Sequence, residues 1–301
     1  MKYVTFEVRG RIQAGIVVDD RIVGLHEASN GRIPEDLLVI VQNYDCYKPL
    51  IKDVQHAGYK IEDVKLLAPL PRPASIRDFY AFEEHVVTAR GKRGLGVVPE
   101  WYEIPVFYFS NHHAVKGPGD LIKRPDSCKK LDYELEIACV IGKEGRNIKA
   151  NEAAEYIFGY MIMNDWSARD LQAKEMKVGL GPAKGKDFAT SFGPYLVTNE
   201  ELPTKEERLN LEMEAFVNGE RCSSGNARDM YYSFGQIIEQ ASRDVTLYPG
   251  EVIGSGTVGS GCILEQTGRN WLSPGDHVEL SITQLGKLLN VVGEEDENGL
   301  L

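Results

Sequence analysis

Apolar and polar positions change period several times along the chain. Between Leu131 and Gly142, in LDYELEIACVIG, Leu131, Tyr133, Leu135 and Ile137 alternate with Asp132, Glu134 and Glu136. Alternate side chains of a strand share a face, so this stretch predicts a half-buried strand with three carboxylates on its polar side. Side chains two residues apart stand about 6.5–7 Å apart along a strand. Carboxylates that close repel unless the face is wet or a cation lies between them, and the strand by itself leaves both readings open. Shorter alternations in KYVTFEV, AGIVVDD and RIVGLHEA predict a β-rich start, followed by a helical IPEDLLVIVQNY. Farther on, IPVFYFS, LNLEMEAFVNG and DHVELSIT read as strands, and NEAAEYIFG, WSARDLQAKEM and SFGQIIEQASRD as helices. Strands dominate and several follow one another directly, which predicts a strand-dominated α+β fold, not a doubly wound parallel sheet. Pro69, Pro71 and Pro73 favour a stiff, extended connection. They divide the chain into a small β-rich N-terminal domain, 1–70, and a larger domain, 71–301. The acidic end, GEEDENG, reads as a frayed, solvated tail.

Composition narrows the function classes. The 301 residues carry 34 Lys and Arg against 45 Asp and Glu, a formal net charge of −11. That balance argues against a nucleic-acid surface, which needs a basic stripe, and requires locally placed Arg and Lys for any anionic ligand. No apolar run approaches the ~18–20 residues that span a bilayer, and MKYVTFEVRG lacks the apolar core of a signal peptide. Five cysteines without CxxC spacing read as reduced thiols of a cytoplasmic protein.

Three stretches imitate known sites. GSGTVGSG has the GxGxxG spacing of a dinucleotide loop, but CILEQTGRNWLSPGD after it predicts strand and turn where a helix should open. GLGPAKGKD lacks the first glycine of a phosphate loop and the Ser or Thr after its lysine. His112 and His113 have no further ligand at metal spacing. The segment YIFGYMIMNDWSARDLQ carries more weight. Its apolar run ends at Asp165, and Ser167 with Asp170 gives a capping-box start for a helix. Asp165 thus sits at a strand-to-helix junction, while Arg169 and Gln172, three apart, share a helix face. Two glutamates, an aspartate and nearby donors offer hard oxygen ligands for Mg²⁺, Ca²⁺ or Mn²⁺ beside groups suited to an anion.

LDYELEIACVIG, YIFGYMIMNDWSARDLQ, KGKDFATSFGPYLV and EVIGSGTVG together resemble the fumarylacetoacetate hydrolase family, from about Arg77 to Asn290. The resemblance implies a mixed β-roll or β-sandwich catalytic domain, dimerisation through it, and action on small keto acids with a divalent cation. Metal carboxylates would fall on Glu134, Glu136 and Asp165. DFYAFEEH supplies Asp78 and His85 at the spacing of a fourth ligand and a catalytic histidine in the fumarylacetoacetase-like branch. In that branch Tyr80, Arg90, Tyr108 and Thr257 would contact substrate, Lys186 and Thr190 would serve substrate and metal region, and Glu265 would orient His85. Met176 stands where the branch has a substrate-contacting tyrosine, and the chain is shorter between Thr190 and Thr257, which leaves the substrate's identity open.

The implied reaction is hydrolysis of a carbon–carbon bond in a β-diketo acid such as fumarylacetoacetate, fumarylpyruvate or another acylpyruvate, of the kind met in aromatic-compound catabolism. An imidazole, ordinarily of pKa ~6.5, suits His85 as base for water. Arg169, Gln172 and Lys186 would donate to the oxyanion, and EEHVVTARGKRGLGVVPEW would form a lid. Oxaloacetate decarboxylation, isomerisation of an unsaturated dicarboxylate, and a non-enzymatic cation-stabilised protein are the alternatives. The expected partners are a small anionic keto acid and a second copy of the chain, with no nucleic acid and no membrane.

Overall fold

The computed structural model describes residues 1–54, 57–205 and 208–293; the acidic tail read after Gly293 lies outside them. Two antiparallel-rich sheets form the frame. The larger has twelve strands among the described residues. Its path runs Tyr59–Lys60, Arg21–Gly24, Arg11–Val18, Lys2–Val8, Thr190–Thr198, Ile157–Asp165, Leu135–Ile141, Val252–Gly254, Ile76–Phe79, Phe107–Ser110. The smaller contains Glu220–Asn226, Glu212–Val217, His277–Ile282, Gly286–Gly293 and Leu121–Lys123. This is the strand-dominated α+β class the sequence predicts. Among the described residues no helix is long and apolar enough to cross a membrane, and all five cysteines are unpaired.

The central strand Leu135–Ile141 is buried on both faces, which corrects the half-buried expectation. Leu135, Ile137, Cys139 and Ile141 join Met213, Ala215, Leu280 and Leu288 in a core between the sheets. Ala138 and Val140, on the opposite face, pack with Leu37, Ile40 and Val41 of an N-terminal helix. That helix covers the face the alternation marks as polar. The N-terminal strands also extend the large sheet: Lys2 and Tyr3 pair with Val197 and Leu196. Segments on both sides of the boundary expected near residue 70 share this sheet and this core.

Two local readings differ from the structure. In NEAAEYIFG only a short 3₁₀ turn forms, Ala153–Tyr156. Ile157 already begins the strand Ile157–Asp165, which is paired on both sides, so sheet pairing overrides the helical start. Ser167 does not cap the helix Arg169–Val178; Ala168 holds the capping position without a side-chain bond. Ser167 and Ala168 instead bridge to Asp132 and Leu131, and the Ser167 hydroxyl donates to the Asp165 carbonyl at 3.0 Å. The helix Phe234–Ser242, by contrast, carries a complete Ser233–Gln236 capping box.

Candidate metal centre and active site

Sheet register explains how the distant carboxylates meet. Side chains opposite one another across paired strands share a face. Gly254 pairs with Ala138 on one side and Asp78 on the other, and Glu136 stands opposite Met163. The face that begins with Ile76, Ala138, Met163 and Val252 in an apolar core thus continues, two residues on, as Asp78, Glu136 and Asp165. Oxygens of Asp78, Glu134, Glu136 and Asp165 lie within 4.8 Å of one another, and all four residues are buried. Two glycines make room. A Cβ on Gly254 would stand 2.6 Å from Asp78 Oδ1. Gly256 has φ +79, a conformation that favours glycine, and its N–H donates to Glu136 Oε2 at 3.1 Å.

Two cations partly balance the four acids. Lys186 Nζ donates to Glu134 Oε2 at 2.5 Å and also to Asp165 Oδ2. Arg169 donates to Glu134 Oε1 at 2.7 Å, to Asp132 Oδ2 at 2.8 Å and to Gln172 Oε1 at 3.0 Å. Burial opposes ionisation of Glu134, but Lys186 and Arg169 outweigh it and hold this carboxyl far below the usual range. Neither Asp78 nor Glu136 has a direct cation contact among the described residues, and burial and the neighbouring carboxylates push both well above their ordinary values, opposed at Asp78 by the charge of Lys186. Asp165 is raised by burial despite Lys186. Asp78 Oδ1 and Asp165 Oδ1 are buried without a hydrogen-bond partner among the described residues. An all-oxygen donor set with two orphaned acceptors fits a hard divalent cation.

This asymmetry gives a pH signature. In the cation-free protein the raised Asp78 and Glu136 bind more protons than in the unfolded chain, whose carboxyls titrate near ~4. Above that pH, stability therefore falls as pH rises toward their folded values. The depressed Glu134 acts oppositely, but only as pH falls below its unfolded value. A divalent cation replaces the retained protons, so the rise in Tm it produces is expected to be larger near pH ~8 than near pH ~5.5. Thermal unfolding with chelator or with Mg²⁺ or Mn²⁺ at both pH values checks this; equal increments would contradict it.

Among the remaining sequence-derived residues, Tyr108 and Thr257 touch the cluster itself. Tyr108 donates to Asp165 Oδ2 at 2.5 Å, so it stands against a candidate ligand. Thr257 Oγ1 lies 3.5 Å from Glu136 Oε1. Thr190 pairs in register with Asp165, and its hydroxyl is 3.3 Å from Ser110 Oγ. His85 is buried on the helix Glu83–Gly91, with Nδ1 3.2 Å from Glu265 Oε1 but without the alignment of a hydrogen bond. Its imidazole is near enough to Glu134 to influence that carboxyl, and its ring meets Tyr80 edge-on at 5.3 Å. Burial pushes the Tyr80 phenol up to about 12, against the opposing charges of Arg93 and Arg90. Arg90 itself donates to the Gly96 carbonyl at 2.6 Å.

Sequence reasoning missed two contributors, Asp132 and Asn164, and one thiol beside the site. Asp132 leaves the carboxylate row: it accepts from Arg169 and from the Ile263 and Leu264 N–H groups at 2.7 and 3.1 Å. Asn164 Oδ1 accepts from the Glu134 N–H at 2.9 Å. Cys262 Sγ lies 3.6 Å from Glu265 Oε2. Only Asp132 left a signal, as the third acid of the alternation.

Comparison with known proteins places this site in context. Residues 74–293 match the family model described as fumarylacetoacetate (FAA) hydrolase C-terminal. Over 316 residues, 97% of this chain and 100% of the relative, the sequence is 31% identical to the oxaloacetate tautomerase YisK of Bacillus subtilis (strain 168). A fumarylacetoacetate hydrolase from psychrophilic Exiguobacterium antarcticum superposes with TM-score 0.79 at 28% identity, covering 98% of this chain and 100% of that one. A maleylpyruvate hydrolase from Sphingobium sp. SYK-6, solved with manganese(II) and pyruvate, shares the fold at TM-score 0.75 and 21% identity, over 98% of this chain and 100% of that one. With its larger part matched throughout and a relative aligned from end to end, the chain belongs to the fumarylacetoacetate hydrolase family.

Proposed function

We propose that this protein is a divalent-cation-dependent hydrolase that cleaves a carbon–carbon bond in a small β-diketo acid, such as fumarylacetoacetate, fumarylpyruvate or another acylpyruvate. The observation that carries this reading is the buried His85–Glu265 pair beside four clustered carboxylates. A cation held by Asp78, Glu134, Glu136 and Asp165 would supply Lewis-acid polarisation of the substrate carbonyls. His85 turns Nδ1 toward Glu265, which leaves Nε2 to take a proton from water as the water attacks. Glu265 fixes the tautomer and favours the imidazolium that results. The same imidazolium then returns its proton to the carbon that departs. Arg169 and Gln172 are the donors for the developing oxyanion. Lys186 has two of its three N–H groups on Glu134 and Asp165, so its main part is to hold those carboxylates in place. Arg90, with Arg93 beside Tyr80, supplies positive charge for a substrate carboxylate. On family resemblance the enzyme acts as a homodimer in the cytoplasm.

A second reading is keto–enol tautomerisation of oxaloacetate, favoured by the end-to-end relationship with YisK. Here His85 would move a proton between carbon and oxygen, and no water would attack. Oxaloacetate decarboxylation or isomerisation of an unsaturated dicarboxylate would draw on the same residues. The test presents the Mg²⁺- or Mn²⁺-loaded enzyme with acylpyruvates, fumarylacetoacetate and enol-oxaloacetate in ¹⁸O-labelled water. Label in a carboxylate product supports hydrolysis. Turnover of oxaloacetate alone, with every diketone left intact, would replace the first reading by the second.

A further inference from the structure

We propose that His85, Cys262 and Glu265 form a zinc site, separate from the four-carboxylate cluster, at which a thiophilic divalent ion blocks the enzyme by occupying its base. The binding stands on geometry alone; the block rests on the role given to His85 above. One nitrogen, one sulfur and one carboxylate oxygen of these residues lie within 4.8 Å of one another. His85 Nδ1 is 3.2 Å from Glu265 Oε1, and Cys262 Sγ is 3.6 Å from Glu265 Oε2. Tetrahedral zinc with ordinary bond lengths, ~2.0–2.1 Å to nitrogen, ~2.3 Å to sulfur and ~2.0–2.2 Å to oxygen, places N and O about 3.4 Å apart and S and O about 3.6 Å apart. Each of the two contacts comes within a few tenths of an ångström of these values, and because they use different oxygens of Glu265, that carboxylate turns to present one of them to both.

The site is also built. His85, Cys262 and Glu265 are 4%, 0% and 8% exposed, so each is more than nine-tenths buried. His85 Nδ1 and Glu265 Oε1 face each other without a hydrogen-bond partner among the described residues. Cys262 precedes and Glu265 ends a 3₁₀ turn, Ile263–Glu265, whose first two N–H groups are fixed by Asp132. Imidazole and thiolate select zinc over magnesium, whereas the neighbouring all-oxygen cluster suits harder ions. Binding forms one bond to each side chain; the Cys262 S–H proton passes to solvent, and the His85 ring proton shifts from Nδ1 to Nε2, which removes the lone pair the base needs. No oxidant or reductant is needed, and the fourth coordination position is left for water.

The test uses the full chain saturated with Mg²⁺, with Co²⁺ as the spectroscopic probe and Zn²⁺ as the competitor. The expected result is one Co²⁺ per chain with thiolate-to-cobalt charge transfer and tetrahedral ligand-field bands, all displaced by Zn²⁺. Cys262→Ser should abolish the sulfur band and weaken Zn²⁺ by more than the ~10–100-fold that loss of an outer-shell partner costs. It should leave Mg²⁺-dependent turnover unchanged but insensitive to Zn²⁺, and Cys262→Ala serves if the serine variant does not fold. Glu136→Gln should keep the band. Absence of a sulfur band in the Mg²⁺-saturated protein, or its survival in Cys262→Ser, overturns the site. A sulfur band with undiminished turnover upholds the site and overturns the block.

Discussion

His85→Ala is expected to lower turnover on a diketo acid ~10²–10⁴-fold, the usual worth of a positioned base. The imidazole is buried, and in the proposed hydrolysis it accounts for the proton both at water attack and at departure of the carbon fragment. Glu265→Gln should lose less, because the base survives while the charge that stabilises its protonated form is gone. Cation affinity, measured by calorimetry, should scarcely change in either variant, since neither residue belongs to the four-carboxylate cluster. Near-normal turnover in His85→Ala would remove the hydrolytic mechanism. A variant that loses diketone cleavage yet still interconverts the oxaloacetate tautomers would separate the two chemistries on one protein.

Glu136→Gln should abolish cation-dependent activity and, in the cation-free protein, leave stability unchanged or raise it near pH ~8. Both effects have one cause. Glu136 is buried without a compensating cation, and its ionised form is opposed by burial and by Asp78, Glu134 and Asp165. The amide oxygen can still accept from the Gly256 N–H, so the local fold persists. A buried ion destabilises when nothing pairs with it, and here a bound cation would be the pairing. Glu136→Ala should lose the cation in the same way but forfeit packing as well. If calorimetry finds unchanged cation affinity in Glu136→Gln, the ligand assignment is wrong.

Legibility in the sequence tracked distance along the chain. Glu134, Glu136 and Asp165 announce themselves locally, two by period-two spacing and one by its place where a strand gives way to a helix. Asp132 has the same spacing, but the strand is interrupted at Tyr133 and Glu134. The short bridge to Ser167–Ala168 carries Asp132 out of the row, toward a guanidinium 37 residues away. Asp78, His85 and Glu265 carry no local pattern. Asp78 reaches the carboxylates through the pairing of Val252–Gly254 with Ile76–Phe79, His85 and Glu265 meet each other across 180 residues of chain, and only family resemblance pointed to the three. The double-sided burial of Leu135–Ile141 was invisible for the same reason: its cover comes from Leu37, Ile40 and Val41, about a hundred residues earlier.

The strand Thr190–Thr198 ties the candidate catalytic centre to the start of the chain. At one end Thr190 is in register with Asp165; at the other, Leu196 and Val197 are paired with Tyr3 and Lys2, and the terminal ammonium donates to Thr198 Oγ1 at 2.6 Å. A chain cut back to the family-matched part, beginning at residue 74, would bare this half of the strand as an open row of backbone donors and acceptors. Such an edge recruits strands from other molecules. The segment before residue 74 thus serves as a selvedge, carrying the sheet's open edge out to the two-residue strand Tyr59–Lys60, away from the carboxylates.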